Sequence, residues 1–400
     1  DLIMMEISLF GIGAAGNKAA INVLESRILP EERVKLINTT VKDIPDKYKT
    51  NTDLVVKFSS MLGGCGKEPI KGQKAMFQAI KSKSIDFSQL ILADTKAVVL
   101  VTSVEGGTGC GATPVIAKYF SALNLPVHVF AFIGFQDEVR GINNSLKFFK
   151  ELPDGIILHT IQNDKFLDYT KSYSKAEEAA NEEFANQLEI LIGSNMIPSN
   201  QNIDDTDHYK IITTPGYMDI RHIDLTGVKN TDLSNQAIID SFESMSCLEY
   251  DNKGCKRLAV IINAPTKTQD AIDSTFSVIK RYTGESFETY RHIQDDECGE
   301  EYMDIIVAGL PYPEHGLVDM GKRYSNLKDK LNSNITGFGD IFDDMDLDDD
   351  LEEETNIRRM NNPDAVLDAF GLDEVAATEA PHRKSAKDIT NVIDDSIDNY

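Results

Sequence analysis

Tryptophan is absent from this chain of 400 residues, and basic side chains are scarce. Forty Lys and Arg face 65 Asp and Glu, a formal charge of -25. A surface of that sign repels phosphate backbones and anionic lipid, so no direct nucleic-acid or membrane-surface binding is expected. A basic partner would be attracted instead. No apolar run approaches the roughly 20 residues that a membrane helix requires. No basic leader with a cleavage pattern opens the sequence, which makes the cytoplasm the expected location. Five cysteines (Cys65, Cys110, Cys247, Cys255, Cys298) contain no C-x-x-C pair, and seven histidines form no ligand spacing. Free thiols in a reducing compartment are expected, and no protein-held metal.

What the chain does have is glycine in the right places. Glu105-Gly106-Gly107-Thr108-Gly109-Cys110-Gly111-Ala112-Thr113-Pro114 follows the apolar run 97–104, which reads as a buried strand. Val115, Ile116, Tyr119, Phe120 and Leu123 then place one apolar stripe on a helix, with Pro114 near its expected start. Four glycines in six positions let backbone N–H groups converge on one point. A helix N-terminus behind them adds partial positive charge, so the chemistry favours a phosphate chain.

The flanking sequence repeats the theme. A strand at 7–12 leads into Gly11-Ile12-Gly13-Ala14-Ala15-Gly16-Asn17-Lys18, a helix follows, and a second strand at 34–38 ends in Asn38-Thr39-Thr40. That order is a βαβ unit of a parallel sheet. The pattern G-x-G-x-x-G also fits a dinucleotide enzyme, but such an enzyme needs an acid after the second strand, where Asn38 and Thr39 stand. A third glycine loop, Gly63-Gly64-Cys65-Gly66-Lys67, precedes a helix opened by Pro69. Further strands are expected at 127–135 and 156–161. Ser174-Lys175-Ala176-Glu177 reads as a capping box opening a long helix that stops at Gly193. Beyond lie a polar loop near 194–208, a helix near 233–245, a strand at 257–263, a helix through Ile272 and Ile279, and strands at 289–293 and 303–310. After Asn332 the acidic run around Asp343, Asp348 and Glu352 is too poor in apolar residues to fold.

In this order, the loops resemble those of the tubulin/FtsZ superfamily. Residues 105–111 are similar to its signature G-G-G-T-G-S/T-G, with Glu105 at the first glycine and Cys110 at the Ser/Thr. Asn163-Asp164-Lys165 resembles the segment beside the nucleotide base, and Ala179-Ala180-Asn181-Glu182 resembles the central helix. Thr214-Pro215-Gly216-Tyr217-Met218-Asp219-Ile220-Arg221-His222-Ile223-Asp224 resembles the catalytic loop, Pro-Gly-x-x-Asn-x-Asp-x-x-Asp. Gly64 to Glu68 and Val307 to Pro311 look closest to the TubZ-type plasmid and phage proteins.

The resemblance implies an α/β fold: a Rossmann-like parallel-sheet GTP-binding domain (1–173), a central helix with its connecting loop (174–208), a smaller α+β domain with the catalytic loop at its start (209–332), and a disordered acidic tail (333–400). It implies GTP or GDP with Mg2+ as ligands. Gly106, Gly107, Thr108, Gly109, Cys110 and Gly111 would hold the β- and γ-phosphates. Gly11, Gly13, Ala14, Ala15, Gly16, Asn17, Lys18, Asn38 and Thr39 would surround the inner phosphates, and Gly64, Cys65 and Gly66 the γ-phosphate. Glu138 would bind ribose. Asn163 with Asn181 or Glu182 would read the base; the stacking aromatic maps to Glu177, leaving Tyr173 as a substitute. Asp224, assisted by Asp219, would orient water on the GTP of the next subunit, so that hydrolysis follows head-to-tail filament assembly. The expected role is plasmid or phage DNA segregation through a basic DNA-binding adaptor on the tail. FtsZ-like division and a non-polymerising nucleotide-binding regulator remain alternatives.

Overall fold

Apolar runs without alternation predict strands covered on both faces, and the computed structural model forms them. It describes residues 5–59, 63–194, 196–197, 203–294, 296 and 299–334. The tail expected at 333–400 lies, but for its first two residues, outside them. In chain order the elements begin β1 (Ile7–Ile12), α1 (Gly13–Glu25), β2 (Val34–Asn38), α2 (Asp46–Lys49), β3 (Val55–Lys57) and α3 (Pro69–Lys81). Then follow β4 (Ala97–Ser103), α4 (Thr108–Ala122), β5 (Val127–Ile133), α5 (Val139–Glu151), β6 (Ile157–Gln162), α6 (Asn163–Thr170) and α7 (Tyr173–Ile192). The rest comprises α8 (Asp205–Ile212), β7 (Gly216–Asp224), α9 (Asn230–Asp232), α10 (Ile238–Glu243), β8 (Cys255–Asn263), α11 (Gln269–Thr283), β9 (Ser286–Gln294), β10 (Tyr302–Leu310) and α12 (Glu314–Asn334).

One sheet in the order β3-β2-β1-β4-β5-β6-β7-β10-β8-β9 runs through all ten strands. From β3 to β7 every pairing is parallel, while β10 is antiparallel to both β7 and β8. The expected α/β architecture is what forms. Because β1, β2, β4, β5 and β6 are parallel, the turns that leave them gather at a single edge. Only two residue pairs, Ile157 with Gly216 and Leu158 with Tyr217, join β6 to β7. Among the described residues no helix is long and apolar enough to cross a membrane.

Several local expectations change. Helix α4 starts at Thr108, so Gly109, Cys110 and Gly111 belong to its first turn and Pro114 lies inside it. The expected capping box does not form: Ser172 is the N-cap, without a side-chain bond, and Ser174 reaches Glu178 at 3.4 Å instead. The helix expected near 233–245 is split by a wide turn at Leu233–Ala237. Helix α12 was not legible, since Gly316 and Gly321 interrupt its pattern. It packs beside α5 and α6, where Arg323 meets Asp164 at 3.2 Å.

The largest departure is the segment read as a catalytic loop. It is strand β7, and Asp219 lies in its middle, 4% exposed. Arg221, two residues on and on the same face, pairs with Asp219 at 2.6 Å. The Tyr250 hydroxyl donates to the same carboxylate at 2.7 Å. Burial opposes the Arg221 charge, yet Asp219 beside it leaves the guanidinium pKa raised. Two opposite charges one pleat apart are thus able to enter the interior together.

Candidate functional site

The glycine turns meet at the C-terminal edge of the parallel strands. Helices α1 and α4 both begin there, and neither N-terminus has a side-chain cap. The N–H groups of Gly13, Ala14 and Ala15, and of Gly107, Thr108 and Gly109, therefore have no partner within their helices. The two ends adjoin: a Cβ on Gly13 would lie 3.0 Å from the Gly109 nitrogen. The Thr39 and Thr108 hydroxyls sit 3.2 Å apart and tie the end of β2 to this point. Two positive helix ends without counter-charge form a ready anion site.

The glycines divide by role. Gly11, Gly16, Gly109 and Gly111 are packing glycines, because a Cβ at each would strike the neighbouring backbone or Thr102 at 2.5, 2.1, 2.1 and 1.9 Å. The Gly111 N–H is already spent on the Gly107 carbonyl at 3.1 Å. Gly64 and Gly106 differ, since a Cβ there meets nothing within 4 Å. Among the described residues nothing requires glycine at those two positions, which leaves room for a ligand to approach. Cys65 and Cys110 are buried; Cys65 packs on Gly107, and Cys110 aims its thiol at the Asn144 carbonyl, 3.5 Å away. Burial pushes the Cys110 thiol up to about 12, so this side chain is an inert packing group. Only the backbone of either cysteine remains for phosphate.

Orphaned polar atoms mark the rest of the site. Asn17 is fully buried on α1, and neither its amide nitrogen nor its oxygen has a partner. Asn163 Oδ1, at the start of α6, and Asn38 Nδ2 are likewise unsatisfied. Such groups cost about 1–3 kcal/mol each when left unpaired, and polar groups of a ligand would supply what they lack. Asn181 and Glu182 lie on α7 beside α1, where Asn22 donates to the Asn181 carbonyl at 3.2 Å. Lys18 faces Glu177 at 3.7 Å rather than the phosphate edge. Glu138 caps nothing and pairs with Lys67 of the third loop. Tyr173 is exposed at the same end and rests its ring on Phe135 at 4.5 Å between centroids.

Asp224 and Asp219 do not fit the water-orienting role. Asp219 is locked in the interior as described. Asp224 is exposed and accepts from the Thr226 N–H at 2.8 Å. It ends a strand parallel to β6, which directs it toward the phosphate edge of its own subunit. Other acids stand at the opposite edge of the sheet. Helix α7 carries the chain there: the Ile192 carbonyl accepts from Met5 N, just before β1, at 2.9 Å. Helix α8 starts at this far edge with Asp204 as N-cap, accepting from Asp207 N at 2.7 Å. Asp205 is near enough to help Glu6 raise the pKa of Lys96, which precedes β4. The sequence Asn202-Ile203-Asp204-Asp205-Thr206-Asp207 carries the spacing Asn-x-Asp-x-x-Asp without substitution. The pattern is legible in the sequence, but the Pro-Gly of the resembled loop stands after α8, at Pro215-Gly216, and opens β7 instead. Among the described residues no group of three acidic, histidine or cysteine side chains is arranged for a metal.

The comparisons with known proteins bear on the fold. No family model matches the chain. The division protein FtsZ of Mycoplasmopsis pulmonis is 23% identical over 319 residues, spanning 76% of this chain and 77% of the relative. A GTPγS-bound protofilament of CetZ2 from Haloferax volcanii superposes with a TM-score of 0.64 at 18% identity, covering 82% of this chain and all of that one (100%). The fold is that of the tubulin/FtsZ superfamily. A GTPγS-form protofilament of TubZ from Bacillus thuringiensis serovar israelensis gives a TM-score of 0.65 at 14% identity, over 84% of this chain and 95% of its own. Those two scores do not separate the CetZ and TubZ branches of the superfamily fold, and the sequence similarity extends to FtsZ. The expected closeness to TubZ is therefore not established.

Proposed function

We propose that the chain binds GTP at the α1–α4 edge, assembles head-to-tail, and hydrolyses the nucleotide with acids from the next subunit. One observation carries the reading: uncapped helix ends at one sheet edge, and the acid-rich start of α8 at the other. Stacking subunits brings the two together. The free N–H groups of residues 13–15 and 106–110 hold the phosphates, the Thr39 and Thr108 hydroxyls add donors, and Asn17 and Asn163 address the ribose and base. Tyr173 offers the base an aromatic face. Mg2+, if bound with the nucleotide, would neutralise phosphate charge; among the described residues no acidic, histidine or cysteine cluster is arranged to hold it, so few protein ligands would be needed. Asp204 and Asp207 of the neighbour orient a water for in-line attack; its oxygen bonds to the γ-phosphorus as the bond to the β-bridging oxygen breaks, GDP leaves with that electron pair, and the water's protons stay with the released phosphate and solvent.

The assembly dependence is the test. GTP turnover per subunit should rise with protein concentration alongside light scattering and filaments in electron micrographs. Turnover strictly proportional to protein, with no filaments, overturns the assembly-coupled reading in favour of a lone nucleotide-binding regulator. For biological role we infer movement or positioning of DNA, the acidic segment 333–400 attracting a basic DNA-binding adaptor. Pull-down of such an adaptor by the full chain, and its loss on truncation after Asn332, tests that point; recruitment to a division site would favour an FtsZ-like role.

A further inference from the structure

Glu105 stands where the phosphate turn begins, yet its side chain leaves that turn. It enters a slot between the end of β5 and the start of α5. A Cβ on Gly134 would fall 2.0 Å from Glu105 Oε2, and one on Gly141 would lie 3.2 Å from its carboxyl carbon. Two glycines thus make room for this acid. Gln136, in the left-handed region at φ 50°, brings its backbone N–H toward the carboxyl, which partly offsets the effect of burial. The other oxygen, Oε1, is buried without a partner. Asn144 Nδ2 donates to the carbonyls of both Glu105 and Lys67 at 3.0 Å, which fastens the slot to the first and third glycine turns. Charged groups reach it from three elements: Asp137 before α5, Asp164 on α6 and Lys67 in the third loop. Lys67 is itself paired with Glu138, and Asp164 with Arg323. The slot is therefore poor in compensating positive charge.

We propose that Glu105 is a proton-linked positioning residue of the phosphate cradle: the site binds its nucleotide best with Glu105 protonated, and takes up a proton as the polyanion arrives. This rests on the nucleotide reading above. A protonated carboxyl supplies Oε1 or Oε2 with a hydrogen to donate and adds no negative charge one residue from the phosphate-binding N–H groups. An ionised one repels the incoming phosphates through a poorly solvated wall. Burial, reinforced by Asp137 and Asp164, lifts the carboxyl to about 7, so the exchange falls in the physiological range.

The test is Mg-GTP affinity from pH 6 to 8.5 in the full chain and in Glu105→Gln. One pKa unit of coupling weakens wild-type binding by about sevenfold across that range, while the variant stays near the wild-type value at pH 6. Calorimetry of the wild type in buffers of different ionisation enthalpy should show net proton uptake at pH 7.5 beyond that of the variant. If the variant is unfolded by circular dichroism, Glu105→Asp, which withdraws the carboxyl from the slot, replaces it and should shift the profile to lower pH. Equal pH slopes in wild type and variant, or no excess uptake, overturn the proposal. Absence of GTP binding at every pH in both proteins instead overturns the nucleotide reading on which it rests.

Discussion

Two sets of aspartates in this molecule compete for one chemical role, and burial separates them. Asp219 is enclosed by Arg221 and Tyr250 in the middle of β7. Asp204, Asp205 and Asp207 begin α8 at the sheet edge opposite the phosphate turns, with Asp204 and Asp205 exposed. The α8 set carries the spacing Asn-x-Asp-x-x-Asp in full, and the β7 set carries it with Asp219 and Arg221 substituted. An ion pair in the interior fixes a strand and touches no solvent, whereas acids on a helix start at a free edge are able to meet another subunit. The comparison teaches that a motif's residues matter less than the edge on which the fold places them.

The sharpest way to break this comparison is Arg221→Ala, which strands Asp219 without its cation. Loss of about 3–5 kcal/mol in urea unfolding is expected; a small change would mean that β7 is less closed than its contacts indicate. Asp207→Ala should reverse the pattern, with stability within about 1 kcal/mol and GTP affinity kept. Its turnover in filaments should fall about 100-fold, some 3 kcal/mol of barrier. Asp224→Asn should leave turnover near wild type; if it alone abolishes hydrolysis, the assignment to α8 fails.

A further prediction concerns the interior by itself. His128 and His159 lie side by side on β5 and β6, fully buried, with ring nitrogens 3.0 Å apart. Burial depresses His128 to about 3 and His159 well below its ordinary value. A folded-state pKa below the unfolded value of about 6.5 means that the unfolded chain binds more protons. Stability is therefore complete above about pH 6.5 and falls as the pH drops toward the folded values. At pH 5 about 2 kcal/mol per histidine should be lost in urea melts, and replacing both by Phe should flatten the slope. The smallest contrast sets Gly106→Ala against Gly111→Ala. The first should weaken GTP binding while leaving the melting temperature alone. The second, forced against the Pro69 carbonyl, should destabilise by about 1–3 kcal/mol.

Much of the first half was legible because its signals are local. Continuous apolar strands, glycine turns and 3.6-residue stripes each carry their meaning within a dozen residues, and they specify a parallel sheet with turns on one edge. Asn17, Asn38 and Asn163 could be singled out for the same reason, since each ends or directly follows a strand or glycine turn. The packing role of Gly111 and of the Cys110 side chain, both expected at the phosphates, could not be read, because it depends on helix α4 beginning at Thr108. Glu105 showed only as an oddity.

By itself, then, the chain's sequence determined the five central parallel strands and the glycine turns that follow them, the anion-binding chemistry those turns favour and the acidic character of the whole. The tertiary structure decided which aspartates are available. Asp219 and Arg221 look polar and loop-like in isolation, and only their mutual neutralisation between β-strands explains their burial. It also decided where Glu105 points, since the slot exists only when Gly134 and Gly141, distant in sequence, are folded against it. Charge pairing and steric room are properties of neighbours in space, and a linear pattern reports them only when those neighbours are also close along the chain.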